Sequence, residues 1–295
     1  MSNADLHLHT TYSDGTLTPL KLMELCARRG LKVIAITDHD ITDGIAEAAQ
    51  EAQAYPDLLV IPGVEISTDV PLSEVHILGY FVDYEDRVFQ EKLTQFRRSR
   101  LERGRRMVEK LGELGLPISW ARVQAIAGEG SVARPHVAQA LVEAGYVASI
   151  AEAFDRYIGR NGPAYVEREK MTPAEAVELI VKASGLPALA HPRELEDLEQ
   201  RLPEMKTAGL IGIEVYYQDY GEETIERLLS VARRHGLLPL GGSDYHGLGG
   251  AQERLPGDIP LPEEPVRELL ALAGHPALPS RPNPPGPAAL PGRGR

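Results

Sequence analysis

Short apolar runs alternate with longer stretches of helical period along most of the chain. The runs cover residues 6–8, 33–36, 58–66, 75–81, 187–190, 211–217 and 237–240, lengths that suit buried strands. The helices between them carry their own punctuation. Thr18-Pro19 opens one that Gly30 closes, and Thr172-Pro173 opens another that Gly185 closes. Each has a capping hydroxyl, a proline in the first turn and a glycine past the end. Alternation of strand and helix predicts an α/β protein with a mainly parallel sheet, open or closed, because parallel neighbours are joined by crossover helices.

One stretch breaks the rhythm. From 87 to 165 the period is helical throughout, which predicts a helical insertion, or lid, between a first part of the α/β body at 1–86 and a second at 166–275. The remaining 276–295 hold seven prolines and little that could form a core, and this segment is expected to be a disordered tail.

Charge and composition then narrow the function. With 31 Lys+Arg against 43 Asp+Glu the net charge is −12, which excludes a protein that coats duplex nucleic acid. No apolar run approaches the roughly 18 to 20 residues that span a bilayer. The single cysteine, Cys26, cannot close an intrachain disulfide, and a reducing cytoplasm fits. No targeting segment is expected, since Asp5, His7 and His9 appear almost at once.

The polar residues that interrupt the apolar runs are the informative ones. In Asp5-Leu6-His7-Leu8-His9, strand alternation puts both histidines on one face and the leucines on the other. Alone, such a pair is either a metal site or an ordinary hydrogen-bonded pair. Asp14 follows in a Ser13-Asp14-Gly15 turn that can fold its carboxylate back over the strand end. The second run ends in Thr37-Asp38-His39-Asp40, the fifth in His191-Pro192 and the seventh in Ser243-Asp244-Tyr245-His246. Strand carboxyl ends are where α/β enzymes place their chemistry. Glu65 lies inside an apolar run, where an unpaired carboxylate costs several kcal/mol, on the order of the penalty for a buried charge; a cation resolves that cost. His76 stands near the start of its run, and reaches the same rim only if that strand is antiparallel or the loop at Pro71 folds inward. Position leaves both a structural and a functional role open for it. His136, His235 and His275 have plainer explanations in the insertion, at a helix end and beside the tail.

Six histidines and three acids thus recur at or near strand ends. Imidazole and carboxylate without thiolate suit Zn, Mn or Fe, and nine ligands exceed what one ion takes, which implies two or three divalent metals. Such a cluster activates water and clamps a phosphoryl group, so phosphoester hydrolysis is the leading chemistry.

These residues resemble the signature motifs of the PHP family, named for polymerase and histidinol phosphatase: His7-x-His9, Thr37-Asp38-His39, Glu65 after Gly63-Val64, His191-Pro192 and Ser243-Asp244-x-His246. The resemblance implies a distorted seven-stranded (β/α)7 barrel with a trinuclear site. His7, His9 and Asp244 would hold one metal, Glu65 would bridge it to a second that also takes His76 and His191, and Asp14, His39 and His246 would hold the third. Glu65, His191 and His246 are implied at the centre of catalysis. Some family members have histidine where this chain has Asp14, and an oxygen ligand there favours Mn or Fe.

The insertion is similar to that of bacterial nucleotide phosphoesterases through Arg134-Pro135-His136, Gly162-Pro163-Ala164-Tyr165 and Lys170 before Thr172-Pro173. Members of that branch remove phosphate from 3′,5′-bisphosphonucleotides and trim RNA from its 5′ end, so the implied partner is a small phosphorylated nucleotide or a short RNA. No obligate protein partner is evident. Arg134, just before a helix expected to begin at Pro135, combines a guanidinium fork with a positive helix terminus. Lys170 and Arg193 are further phosphate-binding candidates, and each of the three is otherwise an ordinary surface cation. The six arginines between 97 and 106 point all round their helix, which reads as solvated. Rival readings are a histidinol-phosphate phosphatase, a non-catalytic metal- and nucleotide-binding sensor, and C–N bond hydrolysis, the last of which lacks a lysine within a core strand.

Overall fold

The computed structural model describes residues 2–70, 73–128, 130–167, 171–195, 197–218, 220–249 and 253–275; Lys170 and the proline-rich segment 276–295 lie outside them. Seven strands form one sheet in chain order: β1 (Ala4–Leu8), β2 (Val33–Ile36), β3 (Leu59–Val70), β4 (Ser73–Tyr80), β5 (Leu186–Leu189), β6 (Gly212–Tyr217) and β7 (Leu238–Gly242). Each coincides with one of the apolar runs. The pairs β1–β2, β2–β3, β5–β6 and β6–β7 are parallel, while β4 is antiparallel to both neighbours. The reason lies in the chain length between β3 and β4, which is far below the dozen or so residues that a parallel crossover needs.

The sheet edges meet. Leu8 bridges Tyr245, the His9 N–H donates to the Tyr245 carbonyl at 3.1 Å, and buried Asp5 accepts from the N–H groups of Ser243 at 2.9 Å and Gly257 at 2.8 Å. Burial raises the Asp5 carboxyl to about 6 against the pull of those N–H donors. The outcome is a nearly closed α/β barrel.

Ten α-helices surround it among the described residues: α1 (Pro19–Arg28), α2 (Gly44–Glu51), α3 (Arg87–Glu113), α4 (Trp120–Ala127), α5 (Arg134–Glu143), α6 (Ile150–Ala153), α7 (Pro173–Lys182), α8 (Leu198–Ala208), α9 (Glu222–His235) and α10 (Glu263–Leu272). Leu6, Ala35, Ile61, Leu78, Ala188 and Leu240, from six different strands, share one apolar cluster, and only a barrel lumen lets all of them meet. Outside the lumen, Leu8, Ile34 and Ile36 pack on Leu22, Met23 and Cys26 of α1. Leu6 and Leu8 are therefore not on one face. The register of β1 slips between Asp5 and Leu8, and that irregularity sends Leu6 inward and Leu8 outward, correcting the simple alternation read from the sequence.

The segment between β4 and β5 carries helices joined by turns and, among the described residues, no strand, and two cores hold it. Phe89, Leu93 and Phe96 of α3 pack with Val177 and Ile180 of α7, whereas Leu111 joins Val123, Val137, Leu141 and Ile158 in a separate cluster. The solvated reading of the arginine-rich helix needs correction, because Arg100 and Arg103 are only 5% and 4% exposed. They continue the stripe Phe89, Leu93, Phe96 at three- and four-residue spacing. Arg100 Nε donates to Asp40 Oδ2 at 2.5 Å and its Nη2 to Ser67 Oγ at 2.6 Å, tying α3 to the ends of β2 and β3.

The end of α7 also differs from expectation. The residue with left-handed backbone is Ser184, at φ 60°, not Gly185. Gly185 answers a packing demand instead, since a Cβ there would lie 2.8 Å from Val82 Cγ1 and 2.9 Å from Ile180 Cγ2.

Candidate metal centre

The carboxyl ends of β1, β2, β5 and β7, the middle of β3 and the start of β4 converge on one rim. His7 and His9 come from β1 and the residue after it, His39 follows β2, Glu65 stands in β3, His191 follows β5, and Asp244 and His246 follow β7. His76 reaches the rim because β4 runs antiparallel: it pairs with Ser67, two residues past Glu65. Asp14 arrives on the loop after β1, which Asp38 clamps by accepting from Thr10 N–H at 2.8 Å, Thr10 Oγ1 at 2.6 Å and Ser13 Oγ at 2.5 Å. All nine side chains singled out as candidate ligands are thereby brought together.

Glu65 is the hub. Its Oε1 lies 2.7 Å from His76 Nδ1 and 3.1 Å from His191 Nε2. Its Oε2 lies 3.3 Å from His7 Nε2, 3.3 Å from His9 Nε2 and 3.0 Å from His39 Nδ1. Asp244 Oδ1 is 3.2 Å from His7 Nε2 and 3.0 Å from His9 Nε2, and Asp14 Oδ1 is 3.3 Å from His246 Nε2. Three groups gather ligand atoms within 4.8 Å of one another: His7, His9, Glu65 and Asp244; His9, Asp14, His39 and His246; and His39, Glu65 and His76. His39 thus joins Glu65 and His76, where the resemblance implied His191; His191 still touches Glu65.

The electrostatics show what the site lacks. Burial opposes ionisation of Glu65, Asp14 and Asp244, but the surrounding imidazoles outweigh it and hold all three well below the usual carboxylate range. Burial would likewise lower His246, yet Asp14 and Asp244 lift it to about 10, while His39 is pushed down to about 3 chiefly by desolvation. Six buried atoms nevertheless have no hydrogen-bond partner: His7 Nε2, His9 Nε2, Asp14 Oδ1, His39 Nδ1, Glu65 Oε2 and Asp244 Oδ1. Orphaned lone pairs at such density are costly unless cations satisfy them. Nitrogen and oxygen donors without sulfur fit Mn, Fe or Zn.

Several supporting residues escaped the sequence. Glu214 of β6 is fully buried, facing His7 Nδ1 at 3.1 Å and accepting the His191 N–H at 2.8 Å. Its signal was available, because an acid within the apolar run 211–217 poses the same question as Glu65. Tyr217 Oη donates to Asp244 Oδ2 at 2.7 Å. Asp40, His191 and Asp244 adopt positive φ of 53°, 26° and 49°, strained backbone of about 1–3 kcal/mol each that surrounding contacts hold in place.

Of the candidate phosphate contacts, Arg134 and Arg193 belong to the described residues and Lys170 does not. Arg134 is the first residue of α5, one position earlier than the proline expected to open it, and its guanidinium stacks 5.3 Å from the Phe154 ring centroid. Arg193 stacks on Tyr220 at 5.5 Å. His136, dismissed as a bland member of the insertion, is 8% exposed, accepts the Ala133 N–H on Nδ1 at 3.0 Å, and is held below its usual pKa by burial.

Comparison with known proteins agrees with this geometry. The family model described as PHP domain matches residues 5–158. A 3′,5′-nucleoside bisphosphate phosphatase from Chromobacterium violaceum is 33% identical over 285 residues, 94% of this chain and 100% of that one. The 5′-3′ exoribonuclease Rnm of Escherichia coli is 35% identical over 250 residues, covering 82% of this chain and 84% of its own length. A solved structure from Bifidobacterium adolescentis, described as a metal-dependent phosphoesterase, superposes with a TM-score of 0.83 at 33% identity, over 91% of this chain and 96% of that one. With its motifs on the rim of a seven-stranded barrel, and relatives that match over nearly their whole length, this chain belongs to the PHP family.

Proposed function

We propose that the protein is a metal-dependent phosphoesterase that removes the 3′-phosphate of 3′,5′-bisphosphonucleotides and trims short 5′-phosphorylated RNA. The observation that carries the metal part is Glu65, whose two oxygens face five imidazoles within 3.3 Å while six buried atoms around it lack partners. His7, His9, Glu65 and Asp244 would hold one ion, Glu65, His76 and His191 a second, and Asp14, His39 and His246 a third. Bound there, divalent ions of the Mn, Fe or Zn type would lower the pKa of water and neutralise charge growing on a phosphoryl group.

The two substrates share one reacting group. In each, water adds to a phosphorus atom and the ribose 3′-oxygen of a 5′-phosphorylated nucleoside leaves with a proton; the products are a nucleoside 5′-phosphate and either inorganic phosphate or a shortened 5′-phosphorylated RNA. A single grip on the 5′-phosphate therefore serves both. Arg134, at the head of a ten-residue helix, would supply that grip, with Arg193 and Lys170 as further candidates for it. Glu65, His191 and His246 would act at the centre of catalysis. The reaction belongs in the cytoplasm, where Cys26 stays reduced; among the described residues no helix is long and apolar enough to cross a membrane.

A phosphate-release screen with added Mn²⁺ tests this. A 3′,5′-bisphosphonucleotide should be turned over faster than histidinol phosphate, and Arg134→Ala should cost about 10²-fold in kcat/KM on it, the scale for one charge-assisted contact in a preorganised site. On a 3′-monophosphate lacking the 5′-phosphate the same variant should change little. Preference for histidinol phosphate, or equal damage to both nucleotide substrates, would overturn the substrate reading.

A further inference from the structure

Glu214 belongs to none of the three groups of converging ligand atoms, yet it touches two of the candidate ligands. It is 0% exposed, and both of its oxygens are committed. Oε1 lies 3.1 Å from His7 Nδ1, and Oε2 accepts the backbone N–H of His191 at 2.8 Å. The first contact bears on a member of the group His7, His9, Glu65 and Asp244, and the second on His191, which lies outside the three groups but meets Glu65; β6 is the one described strand with no candidate ligand within it or in the segment just after it.

Consider first His7. Its Nε2 points at Glu65 and Asp244, at 3.3 Å and 3.2 Å. That nitrogen can hold a metal only if its lone pair is free, so the ring proton must sit on Nδ1. A carboxylate has no hydrogen to donate, and so Nδ1 facing Glu214 must be the donor. Glu214 thereby selects the tautomer that leaves Nε2 open toward the cluster. Consider next His191. Its backbone stands at φ 26° and ψ 58°, a left-handed conformation that a side chain disfavours. The hydrogen bond to Glu214 fixes the amide of that peptide and with it the direction of the ring whose Nε2 meets Glu65 at 3.1 Å.

We propose that Glu214 is a positioning residue that sets the His7 tautomer and the His191 backbone together, so that one buried carboxylate prepares two metal subsites at once. The inference rests on the metal reading of the rim, and it makes an unusual demand on substitutions. Glutamine nearly matches glutamate in size, but its amide can accept through one atom only. The His191 N–H is an obligatory donor and claims the carbonyl oxygen; the NH2 then faces His7 Nδ1 and forces the proton onto Nε2, closing the ligand position. Aspartate is a poorer fit by one methylene, yet it keeps acceptors on both sides. A role in packing alone predicts that Glu214→Gln is the milder change. A role in positioning predicts that Glu214→Asp is.

The test compares full-length wild type, Glu214→Gln and Glu214→Asp. Titration with Mn²⁺, followed by elemental analysis, should show Glu214→Gln losing an ion per chain or binding it about 10- to 100-fold more weakly, the usual cost of removing such an orienting partner. Glu214→Asp should retain more metal than Glu214→Gln, and the metal-free melting temperatures of wild type and Glu214→Gln should agree within a few degrees. Wild-type Mn²⁺ binding retained in Glu214→Gln, or a weaker Glu214→Asp, would overturn the proposal. Nitrogen-15 histidine spectra of Zn²⁺-loaded wild type decide it without any variant: the His7 proton must reside on Nδ1, and a proton on Nε2 refutes the idea. A wild-type protein that takes up no metal defeats the metal reading itself, a result distinct from normal loading of Glu214→Gln.

Discussion

At Glu65, five imidazoles press on one carboxylate, and the balance of protons there governs how the site responds to pH. Burial alone would discharge His246, but Asp14 and Asp244 hold it at about 10, and His7, His9 and His191 are likewise raised by the acids around them. These raised groups contribute stability that is complete below the unfolded histidine value near 6.5 and is lost as pH climbs through the folded values. Melting of the metal-free protein should therefore shift to lower temperature between about pH 7 and 10, as scanning calorimetry can measure. Metal loading must expel the same protons, so titration calorimetry in buffers of different ionisation enthalpy should register proton release near pH 7; loading without release would contradict this account. Cys26 offers a simpler check, since burial pushes its thiol up: alkylation should fail in the native protein and succeed in urea. The nine rim side chains were legible because each interrupts an apolar run or follows one, a place where a polar residue needs a reason. Glu214 meets the same criterion, but no histidine or second acid stands beside it in the run 211–217 to mark it as part of a site. The strained backbones of Asp40, His191 and Asp244 left no mark, since none of the three is a glycine.

Among the elements, the strands were legible in full and the helix ends less so. The direction of β4 was implicit in the few residues that separate it from β3, though hydrophobic pattern alone is blind to direction. At the end of α7, Ser184 occupies the left-handed position and Gly185 the crowded one, so the two residues should respond oppositely to substitution. Ser184→Gly is expected to raise stability by up to about 1 kcal/mol through relief of the left-handed penalty, and Gly185→Ala to lower it by about 1–3 kcal/mol through overpacking against Val82 and Ile180. Urea denaturation reads both. The burial of Arg100 and Arg103 is not legible from the spread of arginines around the helix, because what decides it is that these two fall on the Phe89–Leu111 stripe. Arg100→Ala takes the guanidinium from buried Asp40, which still accepts the Ser67 N–H at 3.0 Å, and is expected to cost about 3–5 kcal/mol in the same assay; a loss below about 1 kcal/mol would mean that α3 does not depend on this tie.

For the whole molecule, net charge and substrate have the same sign. A chain at −12 repels phosphorylated substrates at long range, whereas a contact such as the one proposed for Arg134 would act at short range. Added salt screens the first effect within a Debye length of about 10 Å at 0.1 M, so kcat/KM on a short RNA should rise between about 10 and 100 mM monovalent salt, where a cationic nucleic-acid binder would show a steep fall. The antiparallel course of β4 has a further consequence at this scale. The chain leaves β4 at the end of the barrel opposite the rim, and α3 must climb the full height of the wall before the helices beyond it can build over the site. Its 27 residues make a mast of about 40 Å, stepped at Arg100 and carrying the small core around Leu111 at its head. A mast of this kind tolerates changes of length only in near-whole turns. One residue inserted between Phe96 and Arg100 would rotate everything above it by about 100° and swing the guanidinium away from Asp40, whereas seven residues would restore the phase to within about 20° and raise the head by about 10 Å. The placement of the insertion relative to the rim is thus written partly in the arithmetic of a helix that supplies none of the nine candidate ligands.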